Sequence, residues 1–304
     1  MKTALVTGAT GFIGSNLCKR LAKDHYVIAV GTNTYEENTP DCHQFCSTQN
    51  GMLGEYWTDL PHIDVCFHQA ANNDTTDMNR EGMIQSNYDN SICFFEKLAE
   101  EKGCKQFVYA SSGSIYGNQP VPFVEGMTKL DPLNPYAESK KMFEEFAESF
   151  AQKYAVNTIG LRYHNVYGPC EKHKGRRASM VHQLLQKMLH NERPKVFKYG
   201  EYSRDWVYVE DVVEANVLAS TFSESGVYNV GSGEETSFNE IIEILNKELG
   251  CNLETEYVDC PFLEMYQFRS QADLTKISKF GYTPKYNIRT GIKKFIEETK
   301  KAGV

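Results

Sequence analysis

Tyr136-Ala-Glu-Ser-Lys140 sets a phenol and an ammonium four residues apart, which on a helix puts both on one face, one turn from each other. An ammonium beside a phenol favours the phenolate and lowers the pKa from its usual value of about 10. Such a pair is an acid/base able to exchange a proton with an alcohol near neutral pH. Helices meet this spacing often by chance, so the pair draws its meaning from its company. Gly8-Ala-Thr-Gly11-Phe-Ile-Gly14 lies at the start of the chain, and Ser111-Ser112-Gly-Ser-Ile-Tyr116-Gly117 lies upstream of Tyr136.

The glycines have the context that a phosphate-binding turn requires. A strand-like apolar run, Ala4–Val6, precedes them, and Ile13, Leu17 and Leu21 mark one face of a helix after them. Glycine there lets backbone N–H groups approach a pyrophosphate at the helix N-terminus. Further strand-like runs at Tyr26–Val30, Val65–His68, Phe107–Ala110 and Thr158–Arg162 alternate with helix faces marked by Phe94, Phe95 and Leu98 and by Phe143, Ala147 and Phe150. This alternation predicts an α/β fold, a Rossmann-type doubly wound parallel sheet with ligands at the strands' C-terminal edge. After Gly168-Pro169 the pattern changes to a basic, polar loop (170–178), a helix at Val181–Leu189, the runs Lys195-Val-Phe197 and Arg204-Asp-Trp-Val-Tyr-Val209, and helices at Phe238–Leu249 and Ile288–Thr299. We read residues 1–166 as a dinucleotide-binding domain with a returning segment near 205–230. Residues 167–304 then form mainly a smaller, sequence-interleaved substrate-binding α/β part.

Bulk properties narrow the partners. The 304 residues are 41% hydrophobic and 24% charged, with no apolar run of membrane-spanning length, so no membrane partner is expected. A net charge of −8 argues against nucleic acid but not against anionic small molecules. Nine cysteines show no disulfide-framework spacing and no secretion signal opens the chain, so a reducing, cytoplasmic location is expected. Cys42-His43-Gln-Phe-Cys46 has no second ligand pair at metal-site spacing and reads as a loop; no metal is expected.

The glycine loop, the Ser112 stretch and the Tyr136/Lys140 pair, in that order, resemble the extended short-chain dehydrogenases/reductases, the NAD-dependent epimerase/dehydratase group. The resemblance implies that Ser112 hydrogen-bonds the oxygen being oxidised, that Tyr136 exchanges its proton, and that Lys140 holds the nicotinamide ribose and lowers the pKa of Tyr136. It implies dinucleotide contacts from Gly8, Gly11, Phe12, Ile13, Gly14, Thr32, Gln69, Ala70, Ala71, Asn87, Lys140 and Val166. The pattern also expects an acid after the second strand to hold the ribose hydroxyls of NAD, where this chain reads Ile28-Ala-Val30-Gly31-Thr32-Asn33. No carboxylate there repels a 2′-phosphate, and no arginine or lysine follows to bind one. The cofactor is NAD or NADP, with a slight lean to NADP. The adjacent Asp-Glu pair of sugar dehydratases is replaced by Gly113 and Ser114, which rejects dehydration.

Arg162-Tyr-His-Asn165-Val-Tyr-Gly168-Pro169 resembles the Arg-Tyr-Phe-Asn-Val-Tyr-Gly-Pro segment of nucleotide-sugar enzymes, implying a substrate contact from Asn165 and a nicotinamide contact from Val166, with His164 a packed core residue. Glu171-Lys-His173-Lys174-Gly175 is similar to the Glu-Gly-His-Lys-Gly run of the ADP-glycero-manno-heptose 6-epimerases, in which the lysine is a second acid/base facing the tyrosine across the sugar. Lys195-Val-Phe197, the Arg204 run and Tyr266-Gln-Phe-x-x-Gln271-Ala-Asp-Leu274 have counterparts in that family too. Substrate contacts are implied for Asn165, Arg176, Phe197, Arg204 and Tyr266. Arg204 either chelates the diphosphate or forms an ion pair with a neighbour such as Asp205. Arg176-Arg177 depart from the family, which has small residues there. The expected activity is that of a nucleotide-sugar epimerase working by NAD(P)-dependent oxidation and re-reduction. A hexose-nucleotide 4-epimerase would have no need of Lys174, and a nucleotide-sugar dehydrogenase or keto-reductase would exchange its cofactor with solution each turnover. A non-catalytic NAD(P)-sensing protein would have lost the Tyr/Lys pair. A nucleotide sugar is the expected partner and a homo-oligomer the expected assembly.

Overall fold

In a computed structural model, which describes residues 1–32, 38–48 and 56–303, the strand-like runs fall into place as strands. The strands are β1 (Lys2–Thr7), β2 (His25–Gly31), β3 (Gln44–Ser47), β4 (Val65–His68), β5 (Gln106–Ser112), β6 (Asn157–Tyr163), β7 (Asn165–Tyr167), β8 (Lys195–Phe197), β9 (Ser203–Tyr208), β10 (Gly226–Val230), β11 (Glu235–Ser237) and β12 (Glu256–Val258). The longer helices are α1 (Phe12–Leu21), α2 (Asn90–Glu101), α3 (Pro135–Tyr154), α4 (Met180–Leu189), α5 (Val209–Ala219), α6 (Phe238–Leu249) and α7 (Ile288–Lys301).

Seven strands form one parallel sheet in the order β10-β6-β5-β4-β1-β2-β3. Its strands read as continuous apolar runs because helices cover both faces. Ala4 and Val6 of β1 pack with Leu17 and Leu21 of α1 and Val212 and Ala215 of α5, whereas Leu5 packs on the other face with Phe95, Leu98, Phe143, Ala147 and Phe150. Successive strand residues point to opposite faces, so one run feeds two cores. Phe95 has ring centroids of Phe107, Phe143 and Phe150 at 4.7, 5.1 and 5.6 Å, and its truncation to Ala would cost about 3–5 kcal/mol.

Beyond Gly168 the chain builds a second core. α4, α6 and α7 bury Leu184, Ile241 and Phe295 against Trp206 and Tyr208 of β9. β9 is the middle strand of a small sheet, β11-β9-β7, and β12 pairs β8. The chain also returns to the first layer: α5 packs on α1 and β10 pairs β6.

Two local expectations are corrected. Residues Gln44–Ser47 are not loop: they pair in parallel with Ile28–Gly31 as the edge strand β3. Only Cys46 of that strand is buried, so an edge position left little apolar pattern to read. The basic segment after Gly168-Pro169 contains a short 3₁₀ turn at Lys172–Arg177, broken at Gly175 where φ is +53°. Among the described residues, no helix is long and apolar enough to cross a membrane, and no group of three or more His, Cys, Asp or Glu is placed to hold a metal ion.

Candidate active site

The strand order reverses between β1 and β4, and the crevice at that point is bounded by the residues that follow the two strands. Gly8 has φ +65°, and a Cβ there would lie 2.8 Å from the nitrogen of Ala70. A Cβ on Gly14 would lie 2.1 Å from the Gly8 oxygen, so only glycine lets α1 pack this close to its own turn. α1 starts on Phe12 with no side-chain cap and no acidic residue in its first turn, which leaves its N-terminal N–H groups and positive dipole end available to an anion. These residues fit a dinucleotide pyrophosphate.

Around the crevice, Ile13 is half-buried, while Ala71 and Thr32 at the end of β2 are exposed. Two expected cofactor contacts have their side chains otherwise engaged. Gln69 donates to Asn216 Oδ1 (3.0 Å) and accepts from the Tyr163 hydroxyl (3.0 Å). Asn87 accepts from the Asn72 N–H (2.7 Å) and donates to the Asn72 carbonyl (2.9 Å) and to Ser139 Oγ (3.1 Å), clamping the segment after β4 to α3.

β5 delivers Ser112 to the C-terminal edge of the sheet. Its hydroxyl accepts from the Ser114 N–H (3.2 Å) and shares a hydrogen bond with Ser114 Oγ (2.9 Å), which caps the turn Gly113–Tyr116. Asn134 caps α3 by accepting from Ala137 N–H (2.9 Å), and with Pro135 at the first position this puts Tyr136 in the first turn. The Lys140 ammonium lies 5.9 Å from the Tyr136 ring centroid and donates to the Ala110 carbonyl at 2.9 Å. Burial pushes Lys140 down to about 8, opposed by Glu144. Burial raises the Tyr136 phenol above its ordinary value, opposed by a hydrogen bond with Ser112. The expected depression of the phenol by Lys140 is therefore corrected: the ammonium is drawn to a strand carbonyl, and desolvation dominates.

A buried network supports this group. Arg162 binds Glu144 through two hydrogen bonds (2.9 and 2.7 Å), Ser111 donates to Glu144 (2.5 Å), and Arg162 also donates to the Tyr116 hydroxyl (2.6 Å). It ties α3, the end of β5 and the turn after Ser112 into one unit. Sequence reasoning passed over Glu144, whose only visible sign was an acid on the apolar face of α3.

The loop after Gly168 folds back onto the glycine turn. Buried Asn38 donates to the carbonyls of Thr10 (3.3 Å) and Cys170 (3.2 Å) and hydrogen-bonds His173 Nδ1 (3.1 Å). Glu171 is fully buried and accepts from Gly168 N–H (3.2 Å), Ser179 N–H (2.6 Å) and Ser179 Oγ (2.7 Å). Burial raises its carboxyl, opposed by Lys174, whose ammonium lies 3.5 Å away. That ammonium is also 5.0 Å from the Phe12 ring centroid, at the start of α1. Arg176 is exposed and reaches Asp74 at 3.4 Å on the rim.

Arg204 is buried without a carboxylate. Its guanidinium donates to the carbonyls of Ser203 (2.8 Å), Phe268 (2.9 Å) and Gln267, and lies 4.9 Å from the Tyr266 ring centroid. Asp205 is not its partner, since that carboxylate accepts from Ser232 N–H (2.6 Å), Gly233 N–H (2.9 Å) and Ala272 N–H (3.0 Å). Phe197 stands edge-on to Tyr266 at 5.4 Å. Asn165 accepts from Ser270 Oγ (3.3 Å), and Val166 is half-buried beside the first core. His164 is buried with neither ring nitrogen hydrogen-bonded and its pKa lowered by burial, a neutral packed side chain.

Residues 4–231 match the model of the NAD dependent epimerase/dehydratase family. The chain belongs to this family. Among curated relatives, it is 35% identical to an ADP-L-glycero-D-manno-heptose-6-epimerase of Brachyspira hyodysenteriae, over 98% of both chains. Among solved structures, it resembles the ADP-L-glycero-D-manno-heptose-6-epimerase of Helicobacter pylori with TM-score 0.86 and 34% identity, covering 98% of this chain and 96% of that one. It resembles the UDP-glucose 4-epimerase of Thermotoga maritima, solved with UDP-glucose, with TM-score 0.91 and 30% identity over 99% of both chains.

In this member of the NAD-dependent epimerase/dehydratase family, twelve of the sequence-chosen residues fall into three groups. Gly8, Gly11, Phe12, Gly14, Ala70 and Lys174 gather at the α1 turn; Ser112, Tyr136 and Lys140 gather at the β5 edge; Phe197, Arg204 and Tyr266 gather in the second part. Arg176 joins none of these groups; its side chain lies in solvent at the rim.

Proposed function

We propose that the protein is a nucleotide-sugar epimerase of the ADP-heptose 6-epimerase kind, inverting a carbinol centre by oxidation and re-reduction. One observation carries the reading. Lys174, on the loop after Gly168, lies 5.0 Å from the ring of Phe12 at the start of α1, so a second group able to exchange protons nears the glycine turn on an element other than the α3 that carries Tyr136. A nicotinamide dinucleotide held at α1 would accept and return hydride and, oxidised, bring positive charge to the site.

The chain's own residues manage the rest. Ser112 donates a hydrogen bond to the sugar oxygen that becomes a carbonyl, and Tyr136 takes the hydroxyl proton in the oxidation half. Lys174, 3.5 Å from buried Glu171, donates a proton when the carbonyl presents its other face. Arg204, whose guanidinium donates to backbone carbonyls, chelates the diphosphate, while Tyr266 and Phe197 wall the nucleotide side. Asn165 contacts the sugar. The reading includes a dinucleotide-binding part at 1–166 with 205–230, a substrate part at 167–304, and a cytoplasmic homo-oligomer.

The test is Lys174→Met. With two proton-exchanging groups, the variant loses epimerisation yet still transfers hydride in one half-reaction, read as bound reduced dinucleotide by absorbance alongside product stereochemistry. Full epimerisation by Lys174→Met would remove this lysine from the mechanism and favour a hexose-nucleotide 4-epimerase.

A further inference from the structure

A short strap joins the two sides of the cleft. The Gln267 side-chain amide donates to the carbonyls of Gly117 (2.8 Å) and Gly113 (3.4 Å), and so grips both ends of the turn that follows Ser112. Asn118 completes the seam: its Nδ2 donates to the Tyr266 carbonyl (3.0 Å) and its Oδ1 accepts from the Phe268 N–H (2.8 Å). The same three residues, 266–268, form the cradle of Arg204 through the carbonyls of Gln267 and Phe268 and the ring of Tyr266. Arg204 is thus two hydrogen bonds from the turn that carries Ser112, over a sequence gap of 150 residues between Asn118 and Phe268.

We infer that Gln267 and Asn118 are positioning residues, which fix the Ser112–Ser114 turn from the substrate side and make its geometry answer to the segment holding Arg204. The inference rests on the reading of Ser112 as a catalytic hydroxyl. Besides this seam, the turn is held by the Ser112 cap, Gly117 N–H to the Ser114 carbonyl (3.1 Å), Asp131 N–H to the Ile115 carbonyl (2.9 Å) and the Tyr116 hydroxyl, which accepts from Arg162 (2.6 Å) and donates to Asn229 (2.9 Å). Ser112 and Ser114 share a hydrogen bond, so a shift of the turn moves the hydroxyl that meets the sugar oxygen. A displacement of about 1 Å is enough to slow a reaction markedly. Gln267 meets Arg204 through its backbone carbonyl and the turn through its side-chain amide, so loss of the amide spares diphosphate binding.

The experiment has two arms. In the free protein, hydrogen exchange of the peptide covering residues 113–118 is compared between wild type and Gln267→Leu, which keeps the side chain's bulk. The clamp predicts about tenfold faster exchange there, with the β5 amides of residues 106–110 unchanged. Unchanged exchange at 113–118 overturns the inference. In the dinucleotide-loaded enzyme with ADP-glycero-manno-heptose, Gln267→Leu and Asn118→Ala each lower kcat about tenfold with KM nearly unchanged. In a Ser112→Ala background neither substitution costs anything further, because the group they position is gone. Additive losses would show an effect that bypasses Ser112 and overturn the inference. A Ser112→Ala enzyme with wild-type kcat would instead strike at the reading of Ser112, and the positioning role would fall with it. Retained dinucleotide and an unchanged unfolding temperature separate either result from a folding defect.

Discussion

Lys140 donates a hydrogen bond to the carbonyl oxygen of Ala110 at 2.9 Å and so fastens the helix that carries Tyr136 to the strand that ends on Ser112. The lysine thereby sets the distance between two elements as well as charging the site. Its burial holds it down at about 8, against 10.5 for an unburied lysine.

That shift has a stability signature. Between about pH 8 and 10.5 the unfolded chain keeps the Lys140 proton that the folded chain has lost, so stability from this group rises with pH through that window. Denaturant unfolding of the dinucleotide-free protein at several pH values, compared with Lys140→Met, reads it directly. The wild type gains on the variant from pH 8 upward; parallel curves would mean that the lysine is not desolvated.

Tyr136→Phe removes only the oxygen that moves a proton, so turnover should fall by about 10²–10⁴-fold with dinucleotide still bound. Ser112→Ala should cost less, since a hydrogen bond is lost and not the base. A tenfold loss or smaller for Tyr136→Phe, in steady-state assays on dinucleotide-saturated enzyme, would contradict the assignment.

The lean to NADP rests on the missing carboxylate after β2. Gly31 cannot take one, because a Cβ there would lie 2.7 Å from the Thr10 side chain, whereas Thr32 is exposed. Thr32→Asp should shift preference towards NAD by roughly tenfold or more through repulsion of a 2′-phosphate. Competition binding of the two dinucleotides measures it. A wild-type protein isolated with NAD alone would end the lean.

What the sequence disclosed depended on whether a signal was local. The five strand runs were legible because both faces of the sheet are buried, which makes apolar character continuous. The glycine turn was legible because Gly8 and Gly14 answer to atoms within a few residues or to the strand beside them. β3 was not legible, as an edge strand with one buried residue has no pattern. The Tyr136 pKa was misjudged because spacing reveals the ammonium but not the burial that outweighs it. Asn38 and Asn118 drew no notice and Gln267 only as part of the Tyr266–Leu274 run, since each makes a contact 132 to 154 positions away. A lone Asn or Gln gives no warning of such a contact.

The central claim is tested most directly by following ADP-glycero-manno-heptose with the purified, dinucleotide-loaded enzyme by proton NMR, with no dinucleotide added. The account predicts inversion at C6 to an equilibrium mixture with no net reduced dinucleotide released, and no comparable turnover of UDP-glucose. Inversion at C4 of UDP-glucose in place of the heptose, or stoichiometric consumption of dinucleotide, would contradict it.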